Sequence, residues 1–93
     1  MSAMEEVVRL RERAFTLRSL AARIEVTPAM TLGVGAGDDT WRGPAPELCE
    51  RMLAANQRQL RTAIDELRRR GRLLDSRATE IEALAAASAI GVR

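Results

Sequence analysis

The chain has 93 residues, 46% of them hydrophobic and 30% charged, which suits one small domain and excludes two domains or a disordered chain. Only Phe15 and Trp41 are aromatic, and sixteen apolar positions are alanine, so bulky core material is short. The formal charge is +2, every one of the fifteen basic residues is arginine, and histidine, lysine and tyrosine are absent. Their absence removes the commonest general base, the Schiff-base nucleophile and the commonest metal ligand, and so points away from catalysis and from a cofactor.

The start, Met1-Ser2-Ala3-Met4-Glu5-Glu6, is acidic and lacks the basic flank and apolar block of a signal peptide. Ser2 followed by Glu5 is instead a capping-box pattern that opens a helix. From there Ala3, Val7, Leu10, Ala14, Leu17, Ala21 and Ile24 alternate steps of four and three, a heptad seam widened on its flanks by Val8, Phe15 and Leu20. The first helix is predicted over about 3–27, ended by Pro28 because the residue before proline disfavours helical backbone.

Residues 28–43 form the predicted connection, made flexible by Gly33, Gly35 and Gly37, with capping side chains at Asp38, Asp39 and Thr40. It exceeds the roughly 2–8 residues usual between bundled helices, so it is expected to fold back on them through Met30, Leu32 and Val34. The glycine run lacks the lysine and preceding strand of a phosphate-binding loop. Asp38 and Asp39 have no other ligand type beside them and are read as turn residues, not a metal site.

A second helix is predicted over about 44–89, opened by Pro44 and Pro46 with Glu47 and Glu50 at its positive end. Its seam runs Leu53, Gln57, Leu60, Ile64, Leu67, Gly71, Leu74, Ala78, Ile81, Ala85, flanked by Leu48, Met52, Ala63, Leu73 and Leu84. Gly71 weakens a helix interior by about 1 kcal/mol, so it marks a bend or a close helix approach. Glu5/Arg9, Glu47/Arg51 and Glu66/Arg70 have the acid-first spacing of supporting ion pairs. Cys49 falls in step with Leu53 and Leu60; it is expected to be a small buried apolar residue, and a single cysteine excludes an internal disulfide.

Both seams alternate large and small residues, which suits a close antiparallel pair, and both stripes are wider than one helical hairpin covers. The expected fold is therefore all-α: a two-helix antiparallel hairpin with a long glycine-containing connection, assembling into a four-helix bundle. Leu10, Leu17, Ile24, Leu60, Ile64, Leu67 and Leu74 are the candidate residues of that shared dimer or partner core. No apolar run reaches the length of a membrane span.

The stretch Thr40-Trp41-Arg42-Gly43-Pro44-Ala45, between two amphipathic helices and followed by an alanine- and arginine-rich one, resembles the small WXG (ESAT-six-like) proteins of bacterial type VII, or ESX, secretion. The resemblance covers most of the chain as architecture, and its specific motif is Trp41 and Gly43 in the hairpin turn. It implies a non-enzymatic bacterial protein, a secreted or secretion-partner subunit paired with a second copy, another helical hairpin or a larger effector. It also implies export by a route independent of a signal peptide, or a cytoplasmic life with its partner. Two features depart from the family. The tyrosine-based export signal is impossible without tyrosine, so a partner supplies it or the chain is not itself exported. The connection is also longer and richer in glycine than the family's tight turn.

The run Arg68-Arg69-Arg70-Gly71-Arg72 supports an alternative, a small arginine-rich nucleic-acid-binding or regulatory protein. Asp65, Glu66 and Asp75 bracket the run and no aromatic residues interleave with it, which favours a solvated helix face. Acidic residues accompany arginines along the chain, predicting no large field of one sign.

Overall fold

A computed structural model describes residues 2–30 and 46–91, and these are helical almost throughout. Two helices dominate: α1, Ala3–Glu25, and α2, Pro46–Gly91. Helix α1 starts as its sequence dictates, with the Ser2 hydroxyl accepting the Glu5 amide at 3.1 Å and Glu5 and Glu6 in the first turn. It stops two residues before the expected boundary, with Val26 as its C-cap. The Thr27 hydroxyl donates to the Ile24 carbonyl at 2.7 Å, satisfying one of the carbonyls that a helix end leaves open. Pro28 does not begin an extended connection. Residues 28–30 are helical again, with proline in the first turn where its missing amide costs nothing. The rest of the expected connection, with Leu32, Val34 and the Trp41/Gly43 motif, lies outside the described residues.

Helix α2 has 46 residues against 23 in α1, about 69 Å against 35 Å at the α-helical rise. It dominates the 77 × 18 × 15 Å dimensions of the molecule. The helices pack antiparallel, as three cross-helix ion pairs show: Arg11 with Glu82, Arg18 with Asp75, and Glu25 with Arg68. Near the end of α1, the Gln57 amide donates to the carbonyls of Ala29 and Met30 at 3.2 and 3.3 Å. A polar side chain in the apolar seam thus finds backbone acceptors.

Of the two roles open to Gly71, close approach is the one realised. A Cβ at this position would lie 3.3 Å from the Ala14 carbonyl oxygen and 3.2 Å from Cγ of Arg18. Helix α2 runs through Gly71 without interruption. The buried core is Val7, Leu10, Ala14 and Ala21 of α1 with Ile64, Ala78 and Ile81 of α2.

Candidate partner-binding surface

The seam residues separate into rows seven apart with different fates. The row Val7, Ala14 and Ala21 meets the row Ile64, Gly71 and Ala78, and all six are buried. Because the middle of this contact is alanine against glycine, the backbones come close and side chains of the adjacent rows are pushed outward. Leu67 and Leu74 of α2 are consequently half-buried, as are Leu17 and Ile24 of α1; Leu53 and Leu60, in the same row nearer the start of α2, are half-buried too, and Leu20 is 38% exposed. Large aliphatic groups that would form a core in a wider contact line one edge of the pair.

Of the expected partner residues, Leu10 and Ile64 are buried between the two helices and unavailable to another chain. Leu17, Ile24, Leu60, Leu67 and Leu74 all reach the open edge. Cys49 is half-buried and not fully enclosed, because it precedes the stretch of α2 that α1 covers. The flanking Val8, Phe15, Leu48, Met52, Leu73 and Leu84 are exposed, Phe15 by 66%.

The opposite edge is ionic. Arg11, Arg18 and Glu25 recur every seventh residue on α1, and Arg68, Asp75 and Glu82 do so on α2. Antiparallel packing sets opposite charges face to face in three successive rungs. Arg11 also lies 3.7 Å from Asp75, joining two rungs. The Arg68–Glu25 rung is bidentate, at 3.0 and 3.1 Å. Hydrogen bonds from Arg68 and its charge hold the Glu25 carboxyl below its usual range, and Glu25 in turn raises Arg68. This ladder was legible in the sevenfold spacing of charge, but only once each helix was read against the other.

Glu66 accepts hydrogen bonds from both Arg69 and Arg70, which bring its carboxyl down to about 2. Of the expected pairs within one helix, Glu66/Arg70 forms at 2.9 Å. Glu5/Arg9 and Glu47/Arg51 make no ion pair among the described residues; Arg77 instead pairs with Glu80 at 3.1 Å.

No family model, curated protein or solved structure matches the chain. Among the described residues no three histidine, cysteine or acidic side chains gather where they could hold a metal, and no helix is long and apolar enough to cross a membrane. A groove of about 330 Å³ along α1, lined by Arg9, Glu12, Arg13, Thr16 and Leu17, is open to solvent. It holds neither a nucleophile paired with a base nor an enclosed apolar pocket, the usual marks of a catalytic or small-molecule site.

Proposed function

We propose that this chain is a non-enzymatic helical-hairpin subunit whose leucine edge completes its core against another helical pair. The carrying observation is the half-buried leucine row of α2, Leu53, Leu60, Leu67 and Leu74, on a helix pair whose core contains, among the described residues, four buried side chains larger than alanine: Val7, Leu10, Ile64 and Ile81. A fully buried large aliphatic side chain stabilises by roughly 1.5–3 kcal/mol, and ordering each backbone residue costs about 1–2 kcal/mol. Two helices with so thin a core gain most by sharing one.

Within that class the reading is a WXG-like protein of a type VII secretion system, acting as a secreted or secretion-partner subunit in a four-helix bundle. It draws on the Trp41-Arg42-Gly43 motif between two amphipathic helices. The nucleic-acid alternative is weakened because Arg68 is engaged with Glu25, and Arg69 and Arg70 with Glu66. Light scattering coupled to size-exclusion chromatography is the test. The protein alone is expected at the mass of two chains, or to unfold without cooperativity until its partner is added. A cooperatively folded monomer at micromolar concentration would overturn the reading.

A further inference from the structure

The charge along α2 is sorted by face, contrary to the expectation of an evenly mixed surface. From Arg51 to Arg72 this helix carries seven arginines against only Asp65 and Glu66. Two of its rows concentrate the excess. The ladder row reads Arg61, Arg68, Asp75 and Glu82, and the row outside it reads Arg51, Arg58, Asp65 and Arg72. Arg51, Arg58 and Arg72 are exposed and make no ion pair among the described residues; Arg61 is exposed and makes none either, though its charge acts on Glu25 beside the last rung. Helix α1 ends at Glu25, which pairs with Arg68, so the ionic ladder of α2 runs on through Arg61 beyond the last rung.

We propose that this arginine face takes an acidic helix of a different protein, laid antiparallel along α2 with its carboxylates at heptad spacing. The inference rests on the reading of the chain as a partner-binding subunit and names the chemistry of one partner. The recognition mode already operates within the molecule, where Arg68 grips a carboxylate of an antiparallel helix in bidentate fashion and the rungs repeat every seven residues. From Arg51 to Arg72 the face spans about 32 Å of helix, or three heptads. A second copy does not fit, because no row on α1 or α2 carries three acidic residues in heptad succession. Nucleic acid fits less well. Asp65 stands in the middle of the outer row, where it repels a phosphate chain and suits a basic residue on a partner helix.

The test uses the full-length protein and two labelled peptides of about four heptads and identical composition. One is an alanine-rich helix with glutamate on two adjacent heptad rows; in the other the glutamates are scattered around the helix. Anisotropy at physiological salt is expected to show the heptad peptide binding at least about tenfold more tightly than its scattered counterpart. Arg51→Glu, Arg58→Glu and Arg72→Glu together are expected to abolish that preference with helicity unchanged by circular dichroism. The same variant should then bind the arginine version of the heptad peptide. Equal affinity for the two acidic peptides, no binding of either, or tighter binding of a mixed-sequence DNA duplex would overturn the proposal. The mass of the protein alone reports on the leucine edge and peptide selectivity on the arginine face, so either reading can fail without the other.

Discussion

Gly71 shows how one residue sets the spacing of the whole pair. Its missing side chain lets α2 approach the Ala14 carbonyl, and the 0% exposure of Ala14 and Ala78 measures how closely the helices fit around it. Replacing Gly71 with alanine brings opposing effects: about 1 kcal/mol of improved helix propensity against crowding of a backbone carbonyl that cannot swing aside. Gly71→Ala is thus expected to melt within a few degrees of the parent, while Gly71→Leu lowers the melting temperature sharply by driving the helices apart. A Gly71→Leu protein as stable as the parent would show that the close approach is unimportant. The sequence narrowed Gly71 to a bend or a close contact. Only the register opposite Ala14 decides between them, and that register is not a local property. Ser2, by contrast, was readable directly, because a cap acts within one turn.

The elements were legible in the heptads because burial in a helix pair recurs with a fixed period. Helix α1 ends at Glu25 against an expected 27, where the Thr27 hydroxyl takes up the Ile24 carbonyl and Pro28 restarts the helical backbone, and α2 runs Pro46–Gly91 against an expected 44–89. Cross-helix chemistry was less accessible, since Arg18 and Asp75 are 57 residues apart and meet only after α1 and α2 align. The ladder makes a pH prediction. Arg68 depresses the Glu25 carboxyl below 4.5 in the folded protein. The rung therefore contributes fully above that value, and its contribution is lost as pH falls through the lower folded value. Carboxyl titration followed by NMR should place Glu25 below the ordinary glutamate range, and Arg68→Ala should move it back up. An unchanged midpoint in that variant would separate Glu25 from Arg68. The same reasoning places Glu66 near 2, set by Arg69 and Arg70.

At the scale of the molecule, the two edges of the helical pair differ in kind. One is closed by ion pairs between its own helices, and the other leaves Leu17, Ile24, Leu60, Leu67 and Leu74 half-buried. Composition revealed the shortage of core, but which leucines remain uncovered depends on which rows close. Leu67→Gln with Leu74→Gln is expected to reduce the assembly to single chains by light scattering while helicity is largely retained. The same substitution pair on the exposed face, at Leu73 and Leu84, should leave the mass unchanged. Equal effects from both pairs would remove the distinction between edge and outer surface. The division of labour among rows also bears on how such a chain can diverge. Ala14, Ala21, Gly71 and Ala78 hold the helices together, while the leucines and arginines that face outward lie on other rows. A lineage can therefore alter those outer rows, and with them any surface they present, and inherit the spacing of its two helices unchanged.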